Sequence, residues 1–218
     1  MASDRAHARH DRDSVIDAAL RLLDEHGLPE LTMRRLAGAL DVQPSALYWH
    51  VENKQTLLAA VADRILAAAR PAPGPGLDWR DATRHEVLAV RDALLTYRDG
   101  AEVVLSTRAL GLGGDDALQR ISAALGRGHD ATTARRAATA LLHLVLGDAT
   151  LVQQRIQADS LGVTTRTAAL DPTGPAADVD TVRTGLELVL DGLAADTDAA
   201  VDPAAEAATA PYRPERRA

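Results

Sequence analysis

Apolar residues recur along this chain at intervals of three and four, and nowhere do they alternate at every second position. That pattern allows helices and excludes half-buried strands. Val15, Ile16, Ala19, Leu20, Leu22 and Leu23 make one such face, and Leu57, Leu58, Val61, Ile65 and Leu66 make another. The apolar content, 46% of 218 residues, is almost all Ala, Leu and Val, a composition that favours helix. A chain of this length can bury a substantial core. The fold class expected is all-α, with no internal repeat.

Start and stop signals divide the chain. A first helix is expected from Asp11 or Asp13 to His26, with Gly27 as its stop. Thr32 is a good N-cap for "MRRLAGAL", "DVQP" reads as a tight turn, and "SALYWHV" as about two helical turns. Asn53 is the expected N-cap of a longer fourth helix. "RPAPGPG", residues 70–76, breaks helix and reads as a linker. Beyond it, helices are expected over 79–97, 115–126, 131–154 and 179–195. The glycine-bearing stretch 98–116 reads as broken, 159–178 as a long loop, and the tail 196–218, rich in Ala, Pro and charge, as disordered. The domains expected are therefore 1–70, 71–195 and that tail.

"SALYWHVENKQTLL", residues 45–58, is unusual in a chain with three Tyr, two Trp and no Phe. Tyr48, Trp49 and His50 are consecutive, and neighbours on a helix point about 100° apart, so they cannot all face one core. A short helix, a tight turn and a second short helix packed on a first form a helix-turn-helix, whose second helix enters the major groove of DNA. Leu47 and Val51 would face the core. Gln43, Ser45, Tyr48, Trp49 and His50 would offer flat and hydrogen-bonding groups to phosphates and base edges, and Lys54 a phosphate contact.

The net charge of −7 runs against DNA binding until it is divided. Residues 1–70 hold nine Lys and Arg against ten Asp and Glu, a net of −1; the remainder holds fifteen against twenty-one, a net of −6. Binding must then rest on local placement of Arg34, Arg35 and Lys54, the single lysine.

"LTMRRLAGALDVQPSALYWHVENKQTLL" resembles the DNA-binding domain of the TetR family of bacterial repressors, specifically its tetracycline repressor branch. The likeness is carried by Thr32, Leu36-Ala37, Leu40, Leu47-Tyr48, His50, Asn53-Lys54 and Leu57-Leu58. "YRDGAEVVLSTR" and "GLELVLDGL" extend it thinly into the second domain. The resemblance implies that Arg34 reads a base, that Gln43, Pro44 and Ser45 open the recognition helix, and that Tyr48, Trp49, His50 and Lys54 meet phosphates. The branch has a base-reading Gln where Pro44 stands, so its operator sequence is not inherited.

The resemblance also implies a homodimer joined by 131–154 and 178–194, a palindromic double-stranded operator, and release by a small-molecule inducer bound in the second domain. The tetracycline–magnesium chelate does not fit. Its imidazole positions are held by Arg70 and Val104, and only Thr107 is retained. A largely apolar cavity lined by Leu88, Leu95, Val104, Leu105, Thr107, Leu142 and Val145 is expected instead. No metal site and no cofactor are called for. The chain has no cysteine, which excludes disulfides and thiolate chemistry. No apolar run reaches the roughly 20 residues of a membrane span, and the N-terminus lacks a secretory h-region, so a cytoplasmic location is expected.

Two other readings compete. One is a repressor without small-molecule control. The other is an α-bundle enzyme using His85, Glu86, His143 and Asp148, which the spacing disfavours: His143 and Asp148 are five residues apart, off the i, i+4 register.

Overall fold

The computed structural model describes residues 11–71, 76–162 and 179–201, with side chains of the last stretch described for 181–196. Among these residues the chain is helical throughout, with no strand. The head comprises α1 (Arg12–His26), a 3₁₀ turn (Leu28–Glu30), α2 (Met33–Ala39), α3 (Pro44–Leu47) and α4 (Lys54–Ala67). The body comprises α5 (Trp79–Thr96), α6 (Gly100–Ala109), α7 (Asp116–Leu125), α8 (Ala131–Ser160) and α9 (Val179–Val201).

Caps set the helix starts. Asp11, Thr32, Asn53, Asp78 and Asp130 each accept a backbone N–H from the first turn of the helix they precede, satisfying donors that have no partner inside the helix. The turn between α2 and α3 is a Schellman motif. Val42 N–H bonds Ala37 O at 3.0 Å and Asp41 N–H bonds Gly38 O at 3.2 Å. Asp41 takes the left-handed position, φ 54°, where glycine is usual. Leu23, Leu36, Leu47, Leu57 and Ile65 close the head's core and continue without a break into Leu94, Ile121, Leu125, Leu141 and Leu146 of the body.

Several expectations shift. The α-helix of "SALYWHV" lasts one turn, Pro44–Leu47, and Tyr48–His50 continue as turns, because His50 and Val51 N–H both converge on Leu47 O. The stretch expected to be broken carries a ten-residue helix, α6. The glycine at its start reflects packing: a Cβ on Gly100 would lie 2.7 Å from Leu94 O. Helix α8 extends to Ser160, six residues past the expected end, and α9 runs to Val201 rather than Ala195. Most of the linker (72–75), the loop residues 163–178 and the tail residues 202–218 lie outside the described residues.

Head and body meet at the link between α5 and α6. Asp99, 3% exposed and left-handed at φ 56°, accepts Leu28 N–H at 2.7 Å on Oδ2 and the Gln157 side-chain amide on Oδ1. Gly27, at φ +82°, passes so close that a Cβ there would be 2.8 Å from Asp99 Oδ2. Gln153 of α8 spans the break between the two helices. It donates to Leu94 O (3.0 Å) and Tyr97 O (2.8 Å) and accepts Ala101 N–H (3.0 Å). It thereby satisfies backbone groups that the interrupted helix leaves unpaired.

Candidate nucleic-acid interface

The surface of α2, the turn and α3 presents the residues singled out from sequence. Thr32 Oγ1 accepts Arg35 N–H at 3.1 Å and starts α2. Of the two arginines that follow, Arg35 is held by Glu30, whereas no carboxylate holds Arg34 among the described residues, and Arg34 is exposed. Gln43 is the N-cap position of α3 and Pro44 its first residue, where the missing N–H costs nothing. Gln43, Pro44 and Ser45 are all exposed.

Leu47 and Val51 are buried at 1% and 2%. They anchor the short helix from below, and the intervening residues turn outward: Tyr48 is 53% exposed and Trp49 78%. Burial of large aromatic surface is a main source of core stability, and both of these rings forgo it. His50 is half-buried beside the start of α1. The Asp11 carboxyl there is held below its usual pKa, first by the hydrogen bonds from Ser14 and in a smaller part by the His50 charge. Lys54 opens α4 immediately after Asn53, whose Oδ1 accepts Thr56 N–H at 2.9 Å. Thr32, Arg34, Gln43, Pro44, Ser45 and Lys54 therefore lie at the N-terminal ends of three successive helices, and Tyr48, Trp49 and His50 in the turns that follow the second.

Arg64 of α4 bonds Asp17 at 2.5 Å and Asp13 at 2.9 Å, both on α1. On the opposite side Asp63 accepts Gly114 N–H at 2.6 Å. The connecting helix is thus tied to the head by one residue and to the body by its neighbour.

The seven residues expected to line an inducer cavity do not surround one space. Val104, Leu142 and Val145 are in the solid core at 0–1% exposure. Thr107 is buried, with its hydroxyl donating to Val103 O or Val104 O, and Leu105 is 42% exposed. Leu88 borders a groove with Ala68, Arg70 and His85; Leu95 borders a different cleft beside Gln153 and Gln157. The polar residues weighed for an enzyme are separately engaged. His85 Nε2 is 3.2 Å from Arg70 O, Glu86 lies beside Arg120, and Asp148 pairs with Arg91 at 2.8 Å in a nearly buried bridge. His143 is exposed. Asp99, Gln153 and Gln157 were not singled out from sequence; their partners are more than fifty residues away, and no local spacing announces them.

A three-helix head with this motif, joined by one helix to a helical body, defines a class, and comparison with known proteins identifies it. Residues 15–61 match the family model described as bacterial regulatory proteins, tetR family. The chain is 50% identical over 103 residues to the class D tetracycline repressor of Escherichia coli, covering 46% of this chain and 47% of that protein. It thus spans about half the length of that relative. Against the class G repressor of Vibrio anguillarum it is 39% identical over 151 residues, covering 68% and 71%. Among solved structures, BioQ with its natural double-stranded DNA operator superposes with a TM-score of 0.69 at 38% identity, covering 85% of this chain and 99% of that one. A TetR variant from Acinetobacter baumannii AYE in complex with minocycline superposes with a TM-score of 0.67 at 32% identity, covering 86% and 98%. The chain belongs to the TetR family.

Proposed function

We propose that the protein is a ligand-responsive transcriptional repressor that binds a palindromic operator as a homodimer. The observation that carries this reading is the outward face of Tyr48 and Trp49 above the buried pair Leu47 and Val51. A soluble head spends two of its scarce aromatics on solvent where flat, hydrogen-bonding groups suit a phosphate backbone. The operator complex of BioQ supports DNA as the partner, and the minocycline complex supports small-molecule control.

Dimerisation is supported by an exposed stripe on the two long helices. Ala140, His143, Gly147 and Leu151 follow one another along α8, and Thr184, Leu188 and Gly192 along α9. Leu151 and Leu188 are 63% and 69% exposed. A Cβ at Gly147 or Gly192 would touch nothing within 4 Å, so each leaves room for a neighbouring helix to approach closely. Such a stripe suits a helix bundle shared between two copies, which would hold the recognition helices about 34 Å apart, one turn of DNA.

Selection from a random duplex library tests the reading, with a palindrome as the expected product. On that palindrome Arg34→Ala should lose about 1–3 kcal/mol at particular base pairs and leave non-specific affinity nearly intact. Identical base-substitution profiles for wild type and Arg34→Ala would remove Arg34 from base reading.

A further inference from the structure

The cleft that Leu95 borders lies against the joint between head and body, between the α5–α6 link and the last turns of α8. We propose that it is the inducer site and that it takes an uncharged, amphipathic molecule carrying a hydrogen-bond acceptor; this rests on the ligand-responsive reading above. Its volume of about 430 Å³ suits a drug-sized ligand. Leu95, Val152 and Ile156 give it an apolar wall, and Tyr97 and Arg98 a polar edge. Ile156 is 62% exposed, apolar surface that a bound molecule would cover.

The hydrogen bonding selects the ligand's chemistry. Gln153 makes three bonds to backbone groups and is committed to the joint. Each oxygen of Asp99 already accepts one hydrogen bond, from Leu28 N–H and from Gln157. The exposed guanidinium of Arg98, which can only donate, and the Tyr97 hydroxyl stand at the cleft's edge, so an acceptor on the ligand finds partners there. The backbone N–H of Arg98 is bonded to Asp24 at 3.2 Å, which fixes the chain at the cleft's edge. Asp99 and Arg98 are the charged residues lining the cleft and their charges offset, so a ligand anion would meet the Asp99 carboxylate and a cation the Arg98 guanidinium. A neutral carbonyl group meets neither obstacle.

The site is wired to the head. A ligand that draws on Gln157 or displaces Tyr97 and Arg98 disturbs Asp99, and Asp99 holds Leu28, the first residue of the turn that follows α1. Ligand and operator then select different settings of one joint, and each lowers the other's affinity.

Nile red, an uncharged planar dye with a ketone oxygen and strong fluorescence out of water, serves as the probe on the full chain. Wild type should bind it saturably, and the dye should weaken operator binding at least about fivefold. Val152→Trp fills the cleft and Ile156→Glu places a charge on its exposed wall. Each should weaken dye binding about tenfold or more while dye-free operator affinity stays within about twofold. Ile156 is exposed enough for that variant to fold even where Val152→Trp does not. The proposal is overturned by absent dye binding, by equal binding in Ile156→Glu, or by operator affinity indifferent to bound dye. The anionic dye 1-anilinonaphthalene-8-sulfonate binding as tightly as Nile red would overturn the uncharged specificity. A different compound that releases operator equally from wild type and Ile156→Glu would overturn the cleft and leave the repressor reading standing. Failure to bind any palindrome would overturn that reading itself.

Discussion

Asp41 holds the helix-turn-helix together from a backbone position that L-residues rarely adopt. Asp tolerates the left-handed region better than most, and a β-branched residue tolerates it worst. Asp41→Val should cost about 1–2 kcal/mol in urea unfolding, and Asp41→Gly should be neutral or stabilising; equal effects would mean the turn is held by something other than φ. "DVQP" was legible as a turn, but its left-handed residue was not, because no glycine marks it. Lys54 acts at the same scale. It is half-exposed at the start of α4, and Lys54→Ala should weaken binding evenly across DNA sequences. The salt slope of the binding constant should fall by roughly one unit per head. A slope unchanged from wild type would take Lys54 off the phosphates.

Among the elements, α9 is fastened to α5 by charge. Arg84 bonds Glu187 through two contacts of 2.6 and 2.7 Å and Asp81 at 2.6 Å, and Arg80 pairs with Asp191. The Glu187 carboxyl is held below its usual value of 4.5, chiefly by the Arg84 hydrogen bonds. A carboxylate lowered on folding stabilises the folded state above its unfolded pKa and loses that stabilisation as pH falls through the folded value. Both side chains are about a third exposed or more, so solvent limits the effect to about 0.5–1 kcal/mol. Glu187→Gln should therefore melt lower than wild type at pH 7, and the gap should close below the usual carboxylate range. A gap that persists in acid would assign the loss to packing. Most helices were legible from periodicity and caps, since Thr32 and Asn53 cap as their types demand. Helix α6 was not, because glycines that read as breakers serve close packing and the turn after it. Helix α8 overran its expected end because no stop signal precedes Gly162. The short recognition helix was overread because turns and helix share the same apolar spacing over one or two turns.

At the scale of the whole molecule, the proposed dimer requires its two heads to act together. A one-turn recognition helix on a head of net charge −1 has little affinity of its own. A shared bundle makes the second contact intramolecular. Leu142 and Leu188 lie on the two segments expected to join the dimer, and the structure separates them. Leu142 is 1% exposed inside the protomer, so Leu142→Asp would damage the fold, whereas Leu188 is 69% exposed and free to report on association. An unpaired carboxylate buried between two copies costs several kcal/mol. The cleft proposed for the inducer was the least legible feature, since a cleft depends on which helix faces fail to meet, and periodicity records only which faces are apolar. The decisive measurement is a titration of Leu188→Asp and wild type against the palindrome and a single half-site, with molecular mass determined in parallel. The account predicts a folded, monomeric variant that loses tight binding to the palindrome while residues 11–71 remain intact. A monomer that holds one half-site as tightly as wild type holds the palindrome would contradict it.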